Sequence, residues 1–365
     1  MSYRLLRPLL FRLPAEAAHH LGGRAMRAAL ATARARAAAR RIFEVTSPAL
    51  RSELWGISFT NPVGLAAGFD KTGELFNALG ALGFGFIEIG TVTALAQPGN
   101  PAPRLFRLPT DRALLNRMGF NNPGAEAFAR RLAAGSIEPV LGVNLGKSRM
   151  TPLAEAEGDY LRSLELLERW ARYLVINVSS PNTPGLRALQ DARPLRRLLR
   201  TMVARAAELA SERGEPPRPL LLKIAPDLSD AGVDEAVEIA REEGAAGIVA
   251  TNTTLSRAGL RTPAARLGAL GAGGISGTPV RARALEVVRR VFRRTGGDLP
   301  VVGVGGIFGA EDAYAYIRAG ASLVQLYTGL VYGGPATVRT INQGLVRLLR
   351  RDGHPVVADA VGSDA

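Results

Sequence analysis

A chain of 365 residues, 47% of them hydrophobic, has room for one large domain or two ordinary ones, and enough apolar surface to exclude disorder over most of its length. It contains no cysteine, which excludes a disulfide framework, a zinc–thiolate site, an iron–sulfur cluster and a thiol nucleophile. Its formal charge of +14 points to an anionic partner, whether nucleic acid, membrane or phosphorylated ligand, although an arginine- and alanine-rich composition of GC-rich origin produces the same excess.

The charge is uneven. Residues 1–41 hold nine arginines and one acid, Glu16. This segment reads as helix broken at Pro14 and at Gly22–Gly23. Leu5, Leu6, Leu9, Leu10 and Leu13 gather on one side, with Arg4, Arg7 and Arg12 around them. Such a basic amphipathic pair suits a membrane interface, and it equally suits packing on the main domain. No uninterrupted apolar run of about 18 residues occurs, so no transmembrane helix is expected. Arg7 and Arg12 also break the early apolar run, against a signal peptide.

From Asn61 onward, eight short apolar runs recur, each ending in glycine or a small polar residue and followed by a helical stretch. They are "PVGLAAG", "FIEIGTVT", "LGVNLGKS", "YLVINVSS", "LLLKIAPD", "GIVATNTT", "VVGVGGIF" and "LVQLYTGL". Continuous apolar strands alternating with helices predict a parallel sheet covered on both faces, and eight such units predict an α/β fold of the closed (β/α)8 TIM-barrel type. A doubly wound open sheet is the rival, but it usually has fewer strands, and no G-x-G-x-x-G opens the first helix. The chain divides into an N-terminal amphipathic helical segment, 1–45, a barrel, 46–350, and a C-terminal tail, 351–365. Two inserts, 91–140 and 253–300, follow the second and sixth strands and are expected to roof the site.

The carboxyl ends of barrel strands carry function. Here they are rich in amide, hydroxyl and lysine groups, as a polar, planar ligand requires. Gly303–Gly306 and Tyr327–Gly329 lie where barrels cradle phosphates, though glycines also let helices pack close. Lys223, inside an apolar strand, is either paired across the barrel bottom or a positive charge facing a ligand. Asn116, Asn144, Asn177, Asn182 and Asn252 each cap a turn or, together, hold a ring bearing carbonyl, N–H and carboxylate groups, such as a pyrimidine. "INVSSPNTPGLR" places Ser179 and Ser180 in a turn after a strand. Yet the histidines are His19, His20 and His354, near the chain ends, so no histidine near in sequence activates a serine nucleophile.

Several stretches, "NPVGLAAGFDK", "IEIGTVT", "PRLFRL", "NRMGFNN", "INVSSPNTPGLR", "KIAPDLS", "ATNTT", "GGISGTP", "GVGGI" and "LVQLYTG", together resemble the class 2 dihydroorotate dehydrogenases, from about Pro8 to the Leu345 region. The resemblance implies a membrane-associated, quinone-reducing, FMN-dependent enzyme of pyrimidine synthesis that oxidises (S)-dihydroorotate to orotate. It implies FMN contacts at Ala67, Gly68, Phe69, Asp70, Lys71, Thr91, Asn144, Asn177, Lys223 and Thr251, with Gly277, Gly306, Tyr327 and Thr328 at the phosphate end. Lys71, Asn116, Arg117, Met118, Gly119, Phe120, Asn177, Asn182, Asn252 and Thr253 match the orotate-binding positions.

Ser180 matches the catalytic base, where class 1 relatives have cysteine; a hydride from C6 would pass to N5 of FMN. Ser179 is expected to be only a small turn residue. His19 and Arg107 resemble residues of the quinone tunnel. Thr328 stands where the family often has serine, and the N-terminal segment matches only through "RPLLFRLPAEAAH". The resemblance further implies a monomer, peripheral on the cytoplasmic face of a bacterial inner membrane, binding neither nucleic acid nor metal. Rival readings are a flavin barrel enzyme acting on uracil, like dihydropyrimidine dehydrogenase, and a basic nucleic-acid- or membrane-binding barrel without catalysis.

Overall fold

The computed structural model describes residues 3–365, apart from the side chain of Arg4; residues 1–2 of the N-terminal segment lie outside the described residues. Each of the eight apolar runs forms a strand: Val63–Leu65, Phe86–Val92, Val140–Leu145, Tyr173–Asn177, Leu220–Ile224, Gly247–Ala250, Val301–Val304 and Ala321–Leu326. They pair in parallel, in chain order, and the eighth closes on the first through Val324 and Val63, giving the (β/α)8 barrel. Burial on both faces explains the near-continuous apolar runs.

A hairpin, Ser52–Leu54 paired with Ile57–Phe59, plugs the amino-terminal end of the barrel. Phe59, Phe86 and Tyr173 stack edge to face there, and Trp55 donates from Nε1 to the carbonyl of Ala246 at 2.8 Å. Space for these rings comes from glycine: a Cβ at Gly64 would overlap Phe86, and one at Gly142 would overlap Tyr173. With the bottom filled, a ligand has access only at the other end.

The two inserts meet above that end. Leu105–Leu108 and Ala113–Asn116 from the first pair antiparallel, and Gly274–Gly277 from the second adds to Ala113–Asn116 with Gly274 opposite Asn116. This three-stranded sheet is the expected roof.

Three helices precede the barrel: α1 (Tyr3–Arg12), α2 (Ala15–Ala29) and α3 (Ala33–Phe43). The break at Pro14 is where the sequence suggests. The break at Gly22–Gly23 is not: α2 runs through both glycines. Glycine in a helix costs about 1 kcal/mol relative to alanine, but at Gly23 a Cβ would stand 3.2 Å from Leu75 Cδ1, so its absence lets α2 lie close to the barrel. The helix instead stops before Thr32, which caps α3 by accepting from Ala35 N.

One side of this segment packs on the barrel. Tyr3 donates to the Val331 carbonyl at 2.6 Å, Phe11 meets Tyr332 edge to face at 5.3 Å, and Arg104 donates to the Glu16 carboxylate at 2.8 Å. The other side leaves Leu5, Leu6, Leu9, Leu13 and Leu21 exposed. Among the described residues, no helix is long and apolar enough to cross a membrane. At the far end, residues 351–365 lie on the barrel's helices, with Val357 and Ala360 buried and Gly362 N donating to the Ile317 carbonyl.

Candidate active site

Between the carboxyl strand ends and the roof lies a cavity of about 140 Å³. Its lining includes Ser180 and most of the residues singled out from the sequence: Ala67, Gly68, Lys71, Thr91, Asn177, Lys223, Thr251, Gly277, Gly306, Tyr327 and Thr328, with Asn116, Met118, Gly119, Phe120, Asn182, Asn252 and Thr253.

Register explains the convergence. Parallel strands place partner residues side by side with side chains on the same face. Asn177 partners Lys223 across the fourth and fifth strands, and both point into the cavity. Along the roof strand Ala113–Asn116 the period of two selects Leu114 and Asn116 for the cavity.

Arg117, just past the end of that strand, is not part of the lining. Its guanidinium lies 4.9 Å from the Phe106 ring and donates to the carbonyls of Leu270 and Pro103. Asp70 also faces elsewhere, accepting from Glu74 N at 3.0 Å and Leu75 N at 2.8 Å, and so shapes the loop that carries Lys71. Asn144 lies behind the lining, and Phe69 borders a second cavity.

The amides form one network. Asn144 Oδ1 accepts from Thr91 Oγ1 at 2.6 Å and from Asn177 Nδ2 at 3.0 Å, which leaves its Nδ2 to donate to Glu88 Oε1 at 2.8 Å. Glu88, fully buried, also accepts from Gln325 Nε2 at 2.6 Å and from the Tyr173 hydroxyl at 3.4 Å. Burial lowers the pKa of Lys223, and Glu88 is the charge that opposes this. Glu88 and Gln325 escaped the sequence reading. Their signal was the one used for Lys223, a polar residue inside an apolar strand.

Ser179 is more than a turn residue, which corrects the sequence expectation. Fully buried, its Oγ donates to Asn177 Oδ1 and accepts from Asn252 Nδ2, both at 3.0 Å, joining the ends of the fourth and sixth strands. Ser180 faces the cavity and accepts from Asn182 N at 3.3 Å. No histidine lines this cavity. Phe120, at φ 54°, is held in a region that side chains rarely adopt. Its ring lies beside Gly146, where a Cβ would come within 2.9 Å of it.

At one end the donors change to hydroxyls and bare backbone. Ser276 Oγ and Thr328 Oγ1 stand 2.8 Å apart, beside Gly277 at the start of the helix Thr278–Thr295. A Cβ on Gly306 would come within 2.8 Å of the Gly277 carbonyl, so this corner requires glycine. Backbone N–H groups at a helix start attract anions.

Lys71 lies between the main cavity and the second one, of about 230 Å³, which reaches α2 and His19. Burial pushes the Lys71 ammonium down to about 8, against the carboxylate of Glu16. Burial, reinforced by Lys71, pushes His19 down to about 4, so its ring is neutral at pH 7; it stacks edge to face on Phe69 at 4.9 Å. Arg107 borders neither cavity. It lies 4.6 Å from the Phe11 ring and donates to the Leu13 carbonyl, tying the turn between α1 and α2 to the roof.

A family model described as dihydroorotate dehydrogenase matches residues 49–349. Among curated relatives, a dihydroorotate dehydrogenase (quinone) of Anaeromyxobacter dehalogenans is 55% identical over 370 residues, covering 100% of this chain and 97% of its own. Another from Nocardia farcinica is 52% identical, covering 99% and 97%. Among solved structures, the Eimeria tenella DHODH in complex with ferulenol superposes with a TM-score of 0.82 at 37% identity, over 90% of this chain and 92% of that one.

Proposed function

The chain belongs to the dihydroorotate dehydrogenase family, in its quinone-dependent class, and from that premise we propose that the cavity oxidises dihydroorotate beside a bound FMN with Ser180 as the base. Oxidation of dihydroorotate with a quinone as acceptor is the reaction of its relatives and a step of pyrimidine synthesis. The observation that carries the proposal is Ser180 on the cavity wall among the amides of Asn177, Asn182 and Asn252, with no histidine beside it.

The residues present fit FMN. The Gly277–Gly306 corner with Ser276 and Thr328 suits a phosphate, and a buried Gln325 Oε1 without a partner lines the same cavity as Lys223. Ala67, Gly68, Lys71, Thr91, Asn177 and Thr251 would border the rings, and Asn144 would act by orienting Thr91 and Asn177. FMN, when bound, supplies at N5 the acceptor for the hydride that leaves C6.

The protein supplies the rest. Lys71 and the amides of Asn116, Asn182 and Asn252 bind the carboxylate and ring of the substrate. Departure of hydride makes the C5 proton more acidic, and donors on the carbonyl and carboxylate stabilise the enolate-like charge. Ser180 Oγ accepts that proton while passing its own to a bound water or neighbouring hydroxyl, so a serine needs no histidine here. The roof excludes bulk water and fixes the approach. Lys223 would hold a positive charge at the cofactor's rings and so favour its taking up electrons.

The second half-reaction reaches the membrane through the N-terminal helices. His19 and Arg107 would border the quinone path, and the exposed leucines with Arg7, Arg12 and Arg24 would hold the protein peripherally on the cytoplasmic face of a bacterial inner membrane, as a monomer. Anaerobic addition of dihydroorotate to the purified protein tests the first half-reaction. A flavin band that dihydroorotate bleaches and dihydrouracil does not is expected; the reverse preference would favour the uracil enzyme.

A further inference from the structure

Outside the cavity wall, a single guanidinium holds three of the strand-end loops. Arg187 Nε donates to the Ser179 carbonyl at 3.1 Å, in the loop after the fourth strand. Its Nη1 meets Asp227 Oδ2 at 2.9 Å, after the fifth, and its Nη2 donates to the Thr253 carbonyl at 3.3 Å, after the sixth. Asp227 returns to the third loop, accepting from Leu255 N at 3.1 Å and from Thr254 Oγ1. A separate tie joins the first two loops, Gln190 Oε1 accepting from Ala225 N at 3.0 Å.

We propose that Arg187, braced by Asp227, is a positioning residue that fixes the loop of Ser180 and Asn182 against the loop of Asn252 and Thr253, so that base and substrate ligands address one bound ring. This rests on the reading of Ser180 as the base. Arg187 is not part of the cavity lining, so its effect is indirect. A planar fork reaches three acceptors at once, which a lysine ammonium on a flexible stem does not reproduce. The pair is partly exposed, 24% for Arg187 and 26% for Asp227, so its weight lies in geometry more than in Coulomb attraction. Reaction geometry is steep in distance: displacement by about 1 Å costs on the order of 10²-fold in rate.

The test compares the full-length holoenzyme with Arg187→Ala and Arg187→Lys in two measurements. Hydrogen exchange should quicken in residues 178–183 and 252–255 together in both variants. Flavin reduction at saturating dihydroorotate should slow by roughly 10²-fold with flavin content unchanged, and added guanidinium ion should restore part of the rate to the alanine variant. Wild-type exchange and wild-type reduction in both variants would overturn the proposal, as would a rate loss that only follows lost flavin. If dihydroorotate does not reduce the unsubstituted protein, the substrate reading fails, and the exchange comparison still decides whether Arg187 clamps the loops.

Discussion

Asn177 and Lys223 are register partners on neighbouring parallel strands, and both side chains enter the same cavity from strands whose other residues are buried and apolar. A lysine in that position carries its desolvation cost whether or not a ligand is present. The charge is therefore most useful where an anion forms.

Lys223→Met should leave the barrel folded, because a thioether replaces a desolvated ammonium. The midpoint potential of the bound flavin should fall by about 30 mV or more, a tenfold change for a two-electron couple. A spectroelectrochemical titration measures it, and an unchanged potential would remove Lys223 from the flavin.

Lys71 gives the site a pH dependence. Its pKa is pushed down to about 8, so it is charged below that pH and neutral above it. Orotate affinity, read from the perturbation of the flavin spectrum, should be flat below pH 8 and weaken by about tenfold per unit above it. The bend should vanish in Lys71→Met. A bend that persists in that variant belongs to another group.

The strand ends were legible because an amide, hydroxyl or lysine at the end of an apolar run has few reasons to be there, and the barrel gathers all eight ends. Depth was less legible. Glu88 and Gln325 are single polar letters within apolar strands, and only closure of the barrel brings them together beneath Asn144. Within one stretch side chains part ways: Asn116 and Met118 line the cavity, whereas Arg117, just past the end of the roof strand, lies against the Phe106 ring, held by tertiary contacts that no local signal carries. Gly22 and Gly23 read as a break because glycine weakens a helix locally, whereas the close approach to Leu75 is a tertiary contact that no local signal carries.

The exposed leucines of α1 supply a separable test of membrane association. Tyr3, Arg7 and Phe11 anchor this helix, while Leu5 and Leu9 are 65% and 58% exposed. Replacing both leucines with serine should weaken binding to anionic phospholipid vesicles by about 3 kcal/mol, or roughly 10²-fold. Flavin reduction by dihydroorotate should be untouched. Co-sedimentation equal to that of the unsubstituted protein would place the membrane contact elsewhere.

The role of Ser180 is tested most directly by single-turnover reduction of the enzyme-bound flavin in Ser180→Ala, followed anaerobically by stopped-flow absorbance. The variant should hold FMN and bind orotate as the parent does, because Asn177, Asn252 and Lys223 remain. Its flavin should be reduced by dihydroorotate about 10²- to 10⁴-fold more slowly, the range of a lost general base. Reduction at a rate near that of the unsubstituted protein would contradict the account.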